Sequence, residues 1–201
     1  MAKHTTSYRP LIVGIGGTTR AQSSTERALS MALQAAERDG AQTIHFAGQF
    51  LASLPHYAPE AERLDPPQLA LVDAVRRADA VIVATPGYHG GISGLVKNAL
   101  DTLEALRDDE RPYLDGRAVG CIVTAYGSQA GGAVLGSLRA TIHALRGWPT
   151  PYGAAINTLE TPLGELVHPR VVEQLGNVGR QATAFAFAFG HRARALEALR
   201  A

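Results

Sequence analysis

Short apolar runs rich in branched residues alternate along the chain with longer segments whose apolar positions recur at helical spacing. The runs fall at Leu11 to Ile15, Thr43 to Ala47, Ala80 to Ala84, Ala118 to Thr124 and Tyr152 to Ile156, and their length predicts five strands. Stretches such as "AVIVA" show no polar alternation, which is the pattern of strands covered by helices on both faces. Such sheets are parallel, with right-handed crossovers. The expected fold class is therefore α/β, a three-layer sandwich.

Between the strands, Thr25 to Asp39 sets Ala28, Met31, Ala32 and Ala35 on one helical face, and Gly40 suits the position just past the helix end. A helix over Pro66 to Ala78 would be capped by Asp65, with proline in its first turn and Leu69, Val72 and Val75 or Arg76 following. Ile92 to Leu106 and Gly132 to Leu145 supply two more. Gly48 to Leu64 has two prolines and no period, so it predicts a long loop, and Asn157 to Pro169 predicts another. From Arg170 onward, Val171, Leu175, Val178, Ala182, Phe185 and Phe189 recur at spacings of four and three, interrupted by Gly176, Gly179 and Gly190. An amphipathic helix packed on the sheet explains the pattern, with an oligomer seam as the alternative.

A chain of 201 residues with 46% hydrophobic composition can bury a full core but is short for two domains, so one domain spanning 1–201 is expected. Lys and Arg number 19 against 18 for Asp and Glu, with no basic run interleaved with aromatics. Nucleic acid is therefore not an expected partner, and a small molecule is. The one cysteine, Cys121, lies in an apolar run and can form neither an internal disulfide nor a multi-thiolate metal site, so it reads as inert core. The polar start from Met1 to Pro10 lacks a signal-like apolar stretch, and no window reaches the length of a membrane span, so a cytoplasmic protein is expected.

In an open parallel sheet, ligands sit beyond the carboxyl ends of the strands where strand order reverses, which directs attention to three loops. The first, "GIGGTTRAQSST", has Thr19 where a dinucleotide fingerprint needs its third glycine, and no acidic residue ends the following strand. No lysine lies between Pro10 and Asp39, which excludes a Walker loop. Thr18, Arg20, Ser23, Ser24 and Thr25 instead place hydroxyls and one guanidinium just ahead of a helix start, a set suited to a terminal phosphate monoester. Simple capping of the helix by Ser23 or Ser24 is the alternative.

The second loop, "TPGYHGGISG", has Pro86 to stop its strand. Gly87, Gly90 and Gly91 allow close backbone approach, and Tyr88 and His89 flank it, an arrangement suited to a planar ring; an ordinary glycine-rich turn is the alternative. In the third, "TAYGSQAGG", Gly127, Gly131 and Gly132 free backbone amides beside Ser128 and Gln129, which could read the polar edge of a heterocycle.

Together, these loops resemble the NAD(P)H-dependent FMN reductase family of the flavodoxin-like fold, on the ordered pattern "PGYHGGISGLVKNALD" and on "YGSQAGG", over roughly Pro10 to Ile156. The resemblance implies a five-stranded parallel sheet with helices on both faces. It implies that Thr18, Arg20, Ser23 and Thr25, with Ser24 beside them, bind the FMN phosphate. Pro86, Gly87, Tyr88, His89 and Gly90, with Tyr126, Gly127, Ser128 and Gln129, would line the isoalloxazine. Thr18 and Thr25 stand where the family more often has serine and asparagine, and Asn157 to Pro169 matches none of its motifs.

Hydride would pass from NAD(P)H to FMN with no catalytic side chain and no metal, because the flavin carries the redox chemistry. The resemblance further implies a homodimer or homotetramer, with a salt bridge across subunits from Lys97 or Asp101; an exposed pair within one helix is the alternative. Reduced flavin would serve a partner such as a flavin-dependent monooxygenase. The competing readings are a quinone, azo-dye or chromate reductase that retains its FMN, and a flavodoxin-like electron carrier, which the balanced charge disfavours. NADH and NADPH are not distinguished.

Overall fold

A computed structural model describes the backbone of residues 8–200 and the side chains of residues 8–189; residues 1–7 of the polar start, and residue 201, lie outside the described set, and Gly190 is described by its backbone alone. In chain order the elements are β1 (Leu11–Gly16), α1 (Ser24–Arg38), β2 (Gln42–Phe46), α2 (Gly48–Ala52), α3 (Pro66–Arg77), β3 (Ala80–Tyr88), β4 (Gly91–Ile92) and α4 (Gly94–Thr102). They continue with β5 (Ala118–Ala125), α5 (Ser128–Ala144), β6 (Trp148–Pro149), β7 (Ala154–Asn157) and α6 (Pro169–Arg200). The sheet runs β2-β1-β3-β5, and its fifth position is shared by β6 and β7, both parallel to β5. This is the doubly wound order of the flavodoxin-like fold, whose direction reverses between β1 and β3.

Alternation along the central strands explains the two-sided core. Val13, Val81, Val83, Val119 and Val123 pack with α3, α4 and α5, while Ile12, Ile82 and Ile122 pack with α1 and α6. Val171, Leu175, Val178 and Ala182 are buried in the second of these layers, so the last helix lies on the sheet as its pattern predicts. Gly179 is the point where α6 meets α1, since a Cβ there would stand 2.2 Å from the Ala32 carbonyl oxygen. Cys121 is fully buried, and burial pushes its thiol up to about 12, which keeps it protonated and inert.

Several boundaries differ from those predicted. Pro86 does not stop β3: the strand runs on to Tyr88, with Pro86 still in register opposite Thr124, and then folds back antiparallel onto β4. Residues 48–64 are not all loop, because α2 occupies the start. In α3 the buried face is Leu71, Val72, Ala74 and Val75, and Leu69 is exposed. The α5 helix begins at Ser128 rather than Gly132, despite two glycines in its first turns, and Gly131 lies over β7, where a Cβ would meet that of Ala155 at an ordinary 3.4 Å.

Arg117 carries a structural role that the sequence did not disclose. Its buried guanidinium donates to the carbonyls of Arg76 (2.7 Å), Ala78 (3.1 Å), Tyr113 (3.2 Å) and Asp115 (3.3 Å). Two of these close the carboxyl end of α3, where unpaired carbonyls and the helix dipole favour a cation. Burial lowers its pKa to about 10, still far above neutrality. Arg117→Met keeps the volume and removes the donors, so we expect a loss of about 2 kcal/mol, or roughly 4 to 8 °C in Tm. Thermal unfolding of the flavin-free protein checks this, and an unchanged Tm would mean the carbonyls find water instead.

Candidate functional site

The carboxyl ends of β1, β3 and β5, with the turn after β7, converge on a cleft of about 320 Å³ at the reversal point of the sheet. It is lined by Thr18, Thr19, Arg20, Ser23, Ser24 and Thr25 from the first loop, by Pro86, Gly87 and Tyr88 from β3, and by Thr124, Ala125, Tyr126 and Thr158. This size falls within the range of small-ligand sites.

Local chemistry shapes the first loop. The Thr18 hydroxyl accepts from the Arg20 amide at 3.2 Å, closing a tight turn, and Gln49 Nε2 donates to the Thr19 carbonyl at 3.0 Å. Ser23 is the N-cap of α1, its hydroxyl accepting from the Glu26 amide at 3.3 Å. The capping alternative thus holds for Ser23, which also lines the cleft. The next amides, those of Ser24 and Thr25, precede the first intrahelical acceptor and face the loop with the positive end of the dipole. Beneath them Thr25 Oγ1 and Thr124 Oγ1 lie 2.6 Å apart and buried, joining the loops after β1 and β5. One hydroxyl donates to the other, which leaves a donor to spare.

The wall from β3 owes its shape to a two-residue hairpin. Tyr88 pairs with Gly91, and His89 (φ +50) and Gly90 (φ +82) form the turn between them, both left-handed as such a turn requires. His89 and Gly90 therefore sit at an exposed tip and do not line the cleft. Gly127, Ser128 and Gln129 do not line it either, because Gly127 is the N-cap of α5 and the other two are its first helical residues. Tyr88 and Tyr126 flank the mouth, 54% and 80% exposed.

Thr19, Thr124, Ala125 and Thr158 were missed from the sequence. Thr124 left one signal, a hydroxyl at the end of an otherwise apolar run, and the others left none. The "PGYHGGISGLVKNALD" motif supports the site from behind. Ser93 caps α4, and the Asn98 side chain accepts from the Tyr57 amide (2.8 Å) and donates to the Pro55 carbonyl (2.9 Å), fixing the loop after α2. Lys97 and Asp101 pair within α4 at 2.7 Å, which is the intrahelical alternative.

Among the described residues the cleft has one charged side chain, Arg20, and no carboxylate, a donor set that fits a phosphate monoester. This is the architecture of a flavodoxin-like protein whose switch-point cleft is dressed for an anionic ligand. Residues 10–160, the larger part of the chain, match the family described as NADPH-dependent FMN reductase. The protein belongs to that family.

Two curated relatives are similar over part of their length. An iron-sulfur flavoprotein of Archaeoglobus fulgidus is 30% identical over 131 residues, 62% of this chain and 66% of that protein. An NADPH azoreductase of Bacillus sp. (strain OY1-2) is 29% identical over 117 residues, 58% of this chain and 62% of that protein. The chain thus spans just under two thirds of the curated relatives it matches.

Two solved structures share the fold. The apo form of an NADH:FMN oxidoreductase has a TM-score of 0.66 and 24% identity over 89% of both chains. The NAD(P)H:(acceptor) oxidoreductase of Paracoccus denitrificans has a TM-score of 0.69 and 20% identity, covering 90% of this chain and 98% of that one. No helix among the described residues is long and apolar enough to cross a membrane.

Proposed function

We propose that this protein is an NAD(P)H-dependent FMN reductase that binds FMN in the switch-point cleft. The observation that carries the reading is the meeting of five hydroxyl side chains of the first loop, one guanidinium and the amino end of α1 on one spot, next to an exposed tyrosine pair. Thr18, Arg20, Ser23, Ser24 and Thr25 would hold the phosphate. Pro86, Gly87, Tyr88, Ala125 and Tyr126 would border the ring, with Thr124 and Thr158 between the two halves. His89, Gly90, Gly127, Ser128 and Gln129 would adjoin the ring only through their neighbours in the chain.

Bound FMN supplies the redox chemistry, taking hydride from NAD(P)H. The protein's part is to neutralise the phosphate, to hold the ring and to leave an open side for the nicotinamide, which the exposed mouth provides. The oxidation of NADH or NADPH by purified, flavin-free protein is expected to require added FMN. Full activity without flavin would overturn the reading.

Similarity to an azoreductase favours a second reading, in which the flavin stays bound and an acceptor is reduced in place. A yellow cofactor that survives gel filtration would favour it, and FMN released at each turnover would favour the first. A single domain over the whole chain, a cytoplasmic homo-oligomer and delivery of reduced flavin to a monooxygenase complete the proposal.

A further inference from the structure

The segment after β7, which matched no motif, is tied to both loops of the cleft. The peptide groups on either side of Tyr126 are both held by the dipeptide Asn157-Thr158. The Ala125 carbonyl accepts from the Thr158 amide at 2.9 Å and from its hydroxyl at 3.3 Å, and the Gly127 amide donates to Asn157 Oδ1 at 3.1 Å. Among the described residues this last bond is the only one from a side chain to the backbone of residues 126–129. Tyr126 has almost no packing of its own, being 80% exposed, so these three bonds add to the end of β5 and the start of α5 in fixing its backbone.

The same Oδ1 also accepts from the Leu159 amide at 3.1 Å, and the Asn157 carbonyl accepts from the amide and hydroxyl of Thr161, both at 2.9 Å, closing a compact turn. At the other end, the buried Leu163 offers its carbonyl to Arg27 Nη1 at 3.1 Å. Arg27 Nε holds the carbonyl of Gln22, whose φ of +55 shapes the turn before the Ser23 cap.

We propose that Asn157 is a positioning residue for flavin binding, and that residues 157–163 form a bracket presetting the loops after β1 and β5 against each other. The inference rests on the reading of the cleft as an FMN site. Without the bracket, the Tyr126 turn must be ordered when the ligand arrives, and that ordering is subtracted from affinity.

Three proteins test it: the parent, Asn157→Ala and Asn157→Asp, which keeps an acceptor oxygen. In flavin-free protein, Asn157→Ala should speed amide hydrogen exchange in residues 126–129 and 157–161, while Asn157→Asp stays close to the parent. By fluorescence titration Asn157→Ala should bind FMN about five-fold more weakly, as expected for roughly 1 kcal/mol of lost hydrogen bonding. Its KM for FMN should rise by a similar factor with kcat little changed, and Asn157→Asp should recover most of the affinity.

Parent-like exchange and affinity in Asn157→Ala would overturn the inference, as would equal weakening in Asn157→Asp. If the parent itself bound no FMN, the flavin reading would fall, and the exchange measurement would still report separately on the bracket.

Discussion

Arg20→Ala is expected to weaken FMN binding by about ten- to thirty-fold, the loss of one charge-assisted contact of roughly 1.5 to 2 kcal/mol. The estimate sits at the low end for such contacts because Arg20 is exposed, where solvent screens its charge. The effect is still large, because no other charged side chain among the described residues lines the cleft. Arg27, seven residues on, cannot substitute, since its guanidinium is committed to the carbonyls of Gln22 and Leu163. Arg20→Lys should fall between parent and alanine, because a point charge replaces a planar fork. The difference between parent and Arg20→Ala should shrink as salt rises. Fluorescence titration at two ionic strengths checks both, and equal affinities of parent and Arg20→Ala at low salt would remove Arg20 from the phosphate site.

The place of Arg20 on the cleft lining was legible from the sequence, for a reason that separates what could be read from what could not. The first loop is a continuous stretch, so its hydroxyls, its guanidinium and its helix start are neighbours in the chain before they are neighbours in space. The positions of β1, β3 and β5 were legible because double-sided burial leaves a local mark, an unbroken apolar run, whereas β2 and β7 at the sides of the sheet are only partly buried and show it more weakly.

Thr124 and Thr158 enter the cleft only because β5 and β7 end at the same level, a consequence of register. Asn98 and Asn157 act on backbone more than 25 residues away, and nothing in their own neighbourhoods signals it. The extension of β3 through Pro86 and the early start of α5 went against local propensity. The first follows from its partner strand, which sets Thr124 opposite Pro86. Ser128 and Gln129 are the first residues of that helix and lie outside the cleft lining.

Gly48 offers the second large effect, at a place where the sequence predicted only loop. It is the first residue of α2, and its Cα faces the backbone of the loop after β1. A Cβ there would lie 1.8 Å from the Thr18 carbonyl oxygen and 2.6 Å from the Thr18 amide nitrogen. Its φ is not left-handed, so alanine is excluded by space and not by conformation. Backbone cannot swing aside as a side-chain end can.

Gly48→Ala must therefore push Thr18 and Arg20 outward or displace α2 with Phe50 and Leu51, both packed in the core. Overpacking of this kind costs about 3 kcal/mol, and on a chain of this length the Tm should fall by roughly 6 to 12 °C. FMN affinity should drop more steeply than for Arg20→Ala, because the hydroxyls, the guanidinium and the Gln49 tie to Thr19 move together.

Gly132→Ala is the matched control, an exposed helical glycine with nothing within 4 Å of its Cβ position; there alanine should be neutral or stabilising by up to about 1 kcal/mol. Thermal unfolding of the flavin-free proteins, with FMN titration of each, separates the two substitutions. A Gly48→Ala protein that unfolds and binds like the parent would mean the β1 and β2 loops do not pack as the cleft requires.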